Sequence, residues 1–228
     1  MSLATGLTWA LVLGATPPAL QPPGTFHRDE PVARDGERWL ALHVEDGEAA
    51  LTATRVRVRV VEDPLIDAPG ERSGREIDAP IEGALVFLRG DGLVEGPVPF
   101  APIDAMDNPS GALRFNGRAY RIDTRCIPDV VREGQQQLAC EIVFTQGAHR
   151  QVLAKMAGYR TPEGIDILGD DATPRLLFAG DLDRDGRLDL ILDTTWHYNV
   201  SRPTLFLSTL AREGELVREA AANESVGC

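Results

Sequence analysis

The sequence predicts a mainly β protein built from antiparallel sheets, arranged as a sandwich or as an open, barrel-like structure. Proline and glycine, with 16 and 22 residues, interrupt the 228-residue chain at short intervals. Between them we find no amphipathic helical pattern longer than about three turns. The segment TRVRVRVV at 54–61 alternates strictly, as a strand with one buried face does.

Segments rich in β-branched and apolar residues, bounded by turn residues, are expected to be strands. They are 38–44, 51–61, 84–89, 118–126, 138–145, 151–156, 175–179, 188–194, 204–210 and 216–221. In the alternating segment, Arg55, Arg57 and Arg59 share one face. This stripe could bind an anion, but a solvated face paired with some of the 35 acidic residues is the commoner arrangement.

The composition limits the classes of function. Hydrophobic residues make up 43% of the chain, which is enough to form a core and argues against disorder. The formal net charge is −12 and the pI is near 4.8. Nucleic acids and anionic membrane surfaces require clustered cations, so neither is an expected partner. Cations are the expected ligands.

The N-terminus resembles a secretory signal peptide. Residues 1–20 carry no charged side chain, and 7–15 form an apolar run that is too short to span a bilayer. We expect cleavage near Gly14 or Ala15, which leaves a mature chain without a transmembrane segment. An apolar N-terminal strand or a wrongly assigned start is the alternative, because the run lacks a preceding Lys or Arg. Residues 21–37 form a Pro-rich entry segment, expected to be an extended linker.

Two of the three cysteines suggest a disulfide. Cys126 and Cys140 flank the polar stretch 127–139 between two strand-like segments, which predicts a hairpin with its ends cross-linked. Such a bond needs an oxidising compartment, so a periplasmic or secreted location is expected. The alternative is a pair of unpaired buried thiols. Cys228, the last residue, is expected to be a free thiol.

The stretch FAGDLDRDGRLDLIL at 178–192 carries the clearest chemistry. Counting from Asp181, carboxylates occupy positions 1, 3, 5 and 9, and Gly186 at position 6 permits a sharp turn. Such spacing directs alternate side-chain oxygens and one main-chain carbonyl toward a common centre. Hard oxygen ligands in this number favour calcium over magnesium, and the loop offers no His or Cys for zinc or copper.

The residues around the loop distinguish between two families of calcium site. An EF-hand needs a bidentate Glu at position 12, where Leu192 stands, and an exiting helix, whereas 187–194 has strand character. The loop instead resembles the FG-GAP and VCBS-type calcium loops of integrin alpha-chain propellers and of many bacterial exported proteins. The resemblance implies five ligands, namely the side chains of Asp181, Asp183, Asp185 and Asp189 and the carbonyl of Arg187.

The resemblance covers about 15 residues securely, and we find one good copy, so it does not imply a propeller. An Asp-rich surface turn without an ion is the alternative interpretation of the loop. Asp166, Asp170 and Asp171, just upstream, could add an outer carboxylate, although solvated turn aspartates are commoner. The chain is thereby divided into a β-rich region at 38–160 and a calcium-binding unit at 161–228.

The segment after the loop is the candidate ligand surface, where a glycan or a protein could bind. It contains Asp193, Trp196, His197 and Tyr198, although packing and loop anchoring are the commoner roles of such residues. GxSxG, HExxH, GxGxxG and P-loop patterns are missing from the sequence. We therefore expect an exported bacterial calcium-binding protein with a binding or structural role. The alternative is a secreted glycan or ester hydrolase whose active site includes His197 and Asp193.

Overall fold

The computed structural model describes residues 16–103 and 110–227. Over these residues the strands form five sheets, and every pair of neighbouring named strands is antiparallel. The predicted fold class, mainly β with antiparallel sheets, is confirmed. In these two stretches no helix is long and apolar enough to cross a membrane.

Each sheet has its own strand order, in which strands named next to each other are hydrogen-bonded. The N-terminal sheet contains β1 (Ala19–Gln21), β7 (Ala84–Arg89), β3 (Arg38–Glu45), β4 (Glu48–Arg55) and β8 (Gly96–Val98). A small sheet contains β2 (Gly24–Phe26), β6 (Gly74–Asp78) and β5 (Arg57–Val61). The hairpin sheet contains β13 (Asp166–Leu168), β12 (His149–Arg160), β11 (Gln135–Gln146), β10 (Arg118–Arg132) and β9 (Gly111–Phe115). The central sheet contains β14 (Arg175–Gly180), β15 (Asp189–Asp193), β17 (Pro203–Leu207) and β18 (Arg218–Ala222). The last sheet pairs β16 (Val200–Ser201) with β19 (Ser225–Val226).

Each of the ten predicted strands overlaps an observed strand, and the predicted segment 51–61 is divided at Val56 into β4 and β5. Val56 is fully buried, and its backbone exchanges hydrogen bonds with Gly36 and Glu37 rather than continuing one ladder. The strands that sequence reasoning missed have two to five residues each. Such short strands depend on partners from distant parts of the chain, which local patterns do not reveal.

The Pro-rich entry segment is not an extended linker, which corrects that expectation. Gln21 in β1 and Phe26 in β2 are only 1% and 4% exposed, because β1 pairs with β7 and β2 with β6. Of the predicted signal peptide, 1–15 lie outside the described residues. Cleavage near Gly14 or Ala15 would leave β1 in place.

The central sheet lies between the other two large sheets. Its middle strand, β15, contains Leu190, Ile191 and Leu192, all fully buried. Leu190 and Leu192 join the core shared with the hairpin sheet, whereas Ile191 joins the core shared with the N-terminal sheet. Successive side chains of a strand point to opposite faces, so a strand covered on both faces must be apolar throughout. This burial accounts for the apolar run that follows the aspartate-rich loop.

The hairpin sheet extends the predicted disulfide hairpin. Cys126 and Cys140 face each other directly across β10 and β11, with a Cα–Cα distance of 4.0 Å, and form a disulfide. The polar stretch between them is part of the two strands, which reverse at Glu133 and Gly134. Both turn residues have positive φ, 51° and 82°, as a two-residue hairpin turn requires. Strand β13 adds to this sheet through β12, so 166–168 do not belong to the C-terminal unit as its predicted boundary implied.

We expect the disulfide to stabilise the chain. Replacing Cys126 and Cys140 together by Ser, or reducing the bond, should lower the free energy of unfolding by about 3 kcal/mol, because the bond closes a loop of roughly 15 residues. Urea denaturation of oxidised and reduced protein measures the difference. Cys228, predicted to be a free thiol, lies outside the described residues. Equal unfolding midpoints for oxidised and reduced protein would contradict the expectation.

A histidine–aspartate pair joins the ends of β2 and β5, the two outer strands of the small sheet. The Nδ1 atom of His27, after β2, contacts a carboxylate oxygen of Asp63, after β5. Asp63 is 1% exposed. The hydrogen bond with Asp63 raises the pKa of His27 above its ordinary 6.5. The same bond lowers the pKa of Asp63 below its ordinary 3.8.

This pair should make stability depend on pH. Because the folded pKa of His27 is raised, its stabilisation is complete below pH 6.5 and is lost as pH rises through the folded value. Asp63 contributes above pH 3.8 and loses its contribution as pH falls through its lowered pKa. Thermal melts between pH 6 and about pH 9 should show His27→Gln losing less stability than the parent. His149→Gln, at the exposed start of β12, is the control. A pH profile unchanged in His27→Gln would refute the assignment.

Candidate metal centre

The acidic loop connects β14 and β15, two adjacent strands of the central sheet. Their ladder ends at the pair Gly180↔Asp189, so the two ends of the loop are held side by side. The backbone of 99–101 lies along the free edge of β14, and the Asp181 amide donates to the Pro99 carbonyl at 2.9 Å. A Cβ atom at Gly180 would lie 2.7 Å from that carbonyl oxygen, so only glycine permits this approach.

Three carboxylates of the loop converge. One oxygen from each of Asp181, Asp183 and Asp189 lies within 4.8 Å of the oxygens from the other two. Asp181 and Asp189 are buried, and Asp183 is partly buried. Unit charges of like sign about 4 Å apart repel by roughly 4 kcal/mol at an effective dielectric constant near 20. This cluster could therefore hold a metal ion, which would neutralise the repulsion.

Asp189 is the most deeply buried of the three, at 0% exposure. Its Oδ2 accepts a hydrogen bond from the Leu182 amide at 2.8 Å. Its Oδ1 accepts two from Ser208, from the amide at 2.7 Å and from the hydroxyl at 2.8 Å. Burial, followed by the charge of Asp183, raises the pKa of Asp189 to about 7 against the opposing effect of these bonds. The residue is thus both part of the acidic cluster and an anchor for the loop.

The other two carboxylates each leave one oxygen without a partner. Asp181 accepts the Gly186 amide at 3.0 Å through Oδ2, and Asp183 accepts the Thr209 hydroxyl through Oδ2. The Oδ1 atoms of Asp181 and Asp183 are buried and accept no hydrogen bond from the described residues. A buried carboxylate oxygen without a donor is costly, and such atoms call for a specific explanation. A bound cation would satisfy both atoms.

The charge at Asp183 is also unfavourable. Burial raises its pKa first, and the neighbouring carboxylates of Asp185 and Asp181 raise it further. The hydrogen bond from Thr209 opposes these effects without cancelling them. Without a cation, the surroundings of Asp183 therefore disfavour the charged form of its carboxyl group.

Asp185 and Arg187, two of the five expected ligands, lie differently. The Asp185 carboxylate accepts the Arg187 amide at 2.8 Å and its guanidinium at 2.6 Å, and it accepts the Ser208 hydroxyl at 2.9 Å. Asp185 is not among the three clustered carboxylates. The structure thus brings together Asp181, Asp183 and Asp189 from the expected set.

Contacts from all three large sheets meet at this loop. The Arg184 guanidinium donates to the Glu95 carbonyl at 2.7 Å, before β8 of the N-terminal sheet. The Asn116 side chain, in the turn between β9 and β10, donates to the Gly186 carbonyl at 3.0 Å. Ser208 and Thr209 reach the loop from the end of β17 in the central sheet. Sequence reasoning missed these residues, because no local pattern marks a hydroxyl or an amide that acts on a distant loop.

The predicted ligand surface divides into buried and exposed parts. Asp193 is 6% exposed and accepts hydrogen bonds from the Thr195 and Arg202 amides at 3.1 and 2.8 Å, so it anchors its own loop. Trp196 and Tyr198 are 49% and 68% exposed. Trp196 lines a cavity of about 580 Å³ between this loop and β12.

His197 is paired with Asp170, at 3.1 Å from Nε2, rather than with Asp193. Its Nδ1 accepts the Asn199 amide at 3.3 Å, which places the proton on Nε2, toward Asp170. With both ring nitrogens engaged, this histidine has no free nitrogen to act as a base in the described arrangement. Among the described residues no hydrogen bond joins His197 to Asp193, the two residues that the hydrolase alternative includes in its active site.

The upstream aspartates do not reach the acidic cluster. Asp166 forms two hydrogen bonds with the Arg160 guanidinium, at 2.5 and 2.9 Å. Asp171 accepts the Tyr159 hydroxyl at 3.2 Å. Asp170 is the partner of His197, and its backbone exchanges hydrogen bonds with the segment after β15. These residues fix the segment that carries Trp196 and Tyr198.

Comparison with known proteins adds no assignment, since no family model, no curated protein and no solved structure matches this chain.

Proposed function

We propose that the loop Asp181–Asp189 binds one calcium ion and that the protein is an exported β protein with a binding or structural role. The observation that carries this proposal is the pair of buried Oδ1 atoms of Asp181 and Asp183, which lack hydrogen-bond donors beside the Asp189 carboxylate. The resemblance of 178–190 to FG-GAP and VCBS-type loops supports the same assignment.

The donor set favours calcium among the common metal ions. The cluster offers carboxylate oxygens, whereas zinc and copper sites use His or Cys ligands. Magnesium demands a near-ideal octahedron and retains several waters, while calcium accepts irregular arrangements of six to eight oxygens. The negative net charge of the chain attracts calcium and magnesium alike. Selectivity between the two ions therefore depends on the geometry of the loop.

The role of the ion would be to fix the junction of the three large sheets. The loop is contacted by Glu95, Asn116, Ser208 and Thr209, which belong to three different sheets or their turns. Repulsion among the clustered carboxylates opposes this arrangement. A divalent cation at their centre would attract all of them and so outweigh the repulsion. We expect the ion to rigidify the junction rather than to take part in a reaction.

The remaining parts of the proposal concern location and ligand. The disulfide between Cys126 and Cys140 supports export to the periplasm or beyond the cell, because such bonds persist in oxidising compartments. The surface formed by Trp196 and Tyr198 would bind a glycan or a protein. This part of the proposal is supported by two exposed aromatic rings, which lie beside a cavity that Thr194 and Arg202 also line.

Calorimetric titration of chelator-treated protein tests the calcium assignment. We expect one calcium ion to bind per chain and magnesium at the same concentration to bind much more weakly. Melting curves of the same samples should rise with calcium, because an ion that binds only the folded state stabilises it. No heat of binding and no change in melting temperature at millimolar calcium would reduce the loop to an acidic turn.

A further inference from the structure

A cavity of about 840 Å³ opens on the N-terminal sheet, and no residue of the acidic loop lines it. This volume is within the range of about 300–1,000 Å³ that is usual for small-molecule sites. Its lining includes Arg38 and Leu40 from β3, Arg55 from β4, Leu88 from β7, and Leu93. None of the described residues that line it is an aspartate or a glutamate, although the chain is strongly acidic.

Arg38 and Arg55 form an unusual cross-strand pair at this cavity. They lie directly opposite each other on β3 and β4, both exposed, and like charges in such positions destabilise a sheet. Arg55 donates to the Gly36 carbonyl at 2.6 Å, which does not neutralise its charge. For the Arg38 guanidinium we find no hydrogen bond or ion pair within the part of the chain that the structure describes. The pair therefore lacks the carboxylate that would compensate it.

Neighbouring arginines show that carboxylates are available nearby. Arg57 pairs with Asp78 at 2.7 Å, and Arg59 pairs with Glu76 at 3.0 Å. The expected pairing of the arginine stripe with acidic residues thus holds for these two members. Arg55 differs from them, because the residue opposite it is another arginine.

Apolar side chains form another part of the lining, which also includes Thr54, Arg57 and Arg89. Leu40 lies two residues from Arg38 on the same strand, and therefore on the same face. Leu40 and Leu88 are direct neighbours across β3 and β7, and Leu88 is fully buried. Leu93 is partly buried and packs against the same core. Two cations without a carboxylate partner among the described residues thus lie beside the accessible side chains of Leu40 and Leu93.

We propose that this cavity binds an amphipathic anion, with its acidic head group between Arg38 and Arg55 and its apolar body against Leu40 and Leu93. A carboxylate or sulfonate can accept hydrogen bonds from both guanidinium groups and turns their repulsion into attraction. The ligand class is a small molecule with one anionic group on an aliphatic or aromatic body. This site is separate from the acidic loop and does not rest on calcium binding.

Decanoate is a suitable probe, titrated by calorimetry below the concentration at which it forms micelles. Decyltrimethylammonium, with the same chain length and the opposite charge, is the matched ligand control. All titrations should be run in a chelator, because the site does not rest on calcium and calcium forms poorly soluble salts with decanoate. We expect decanoate to bind and the cationic probe not to bind.

Two sets of variants test the residues. Arg38→Gln combined with Arg55→Gln should weaken decanoate binding roughly tenfold or more, because two charge-assisted hydrogen bonds are lost. Arg59→Gln removes the same kind of charge outside the cavity and should leave the affinity unchanged. Leu93→Ser should weaken decanoate and leave acetate, which lacks the apolar body, unaffected.

Three results would overturn the proposal. They are equal binding of the two probes, an unchanged affinity in the double arginine variant, or an equal loss in Arg59→Gln. The double variant is expected to fold, since it removes a like-charge pair from an exposed face, and its melting curve without ligand checks this.

Discussion

Asp183→Asn is expected to change the melting temperature in opposite directions with and without calcium. In a chelator, the variant should melt at or above the temperature of the parent, because it removes a charge that burial and two neighbouring carboxylates disfavour. At calcium concentrations near one hundred times Kd, the parent should gain about 2.7 kcal/mol, or roughly 5 to 10 °C, that the variant does not gain. The two melting curves should therefore exchange their order.

The exchange of order separates a metal ligand from a residue that only supports the fold. A purely structural aspartate would lose stability in both conditions when it is replaced. Asp129→Asn, on the exposed end of the long hairpin, is the matched control, and its response to calcium should equal that of the parent. If Asp183→Asn responds to calcium as strongly as the parent does, Asp183 is not a ligand and the proposed site is wrong.

Strands could be predicted from the sequence where the local order of apolar and polar residues is itself typical of a strand. The alternation at 54–61 and the apolar run at 190–192 are properties of the local sequence, and both correspond to strands. The sequence did not reveal that β15 is covered on both faces. That result depends on sheets formed by residues far away in the chain, such as those of β3 and β10. Local pattern determines the strand, and long-range packing determines which surface covers it.

The acidic cluster was predictable to a similar degree. The spacing of Asp181, Asp183 and Asp189 indicated convergent oxygens, and the structure brings these three together. Asp185 has the same spacing, but the side chain and amide of Arg187 provide it with a competing local partner. A pattern of alternate aspartates carries no information about that competition. The role of Ser208 was equally hidden, because it acts on a residue 19 positions earlier in the chain.

Asp193, predicted from the sequence to lie on a ligand-binding surface, has a different role in the structure. A carboxylate beside Trp196 and His197 suggests a binding surface, but Asp193 is the last residue of a fully buried strand. There it accepts backbone amides and so fixes the loop that follows. The neighbouring aromatic residues are exposed because that loop leaves the sheet after Asp193. The role of Asp193 therefore follows from its position at the end of a buried strand and not from its residue type.

Asp189→Ala is expected to produce the largest loss of stability, and the loss should appear even in a chelator. The Asp189 carboxylate is the acceptor for the buried amides of Leu182 and Ser208. An unsatisfied buried donor costs about 1–3 kcal/mol, so losing the acceptor for both should cost about 2–6 kcal/mol. Removing a charge whose pKa is raised to about 7 offsets part of this cost. Urea denaturation in a chelator measures the net change.

A second variant at the same position tests the reason for that loss. Asp189→Asn keeps one oxygen, which can accept the Ser208 amide, but it places an NH₂ group toward the Leu182 amide. It should therefore be destabilised by about half as much as the alanine variant, roughly 1–3 kcal/mol. Neither variant should respond to calcium as the parent does. If the alanine variant is as stable as the parent in a chelator, the hydrogen bonds to Asp189 do not hold the loop, and repulsion among the carboxylates outweighs them.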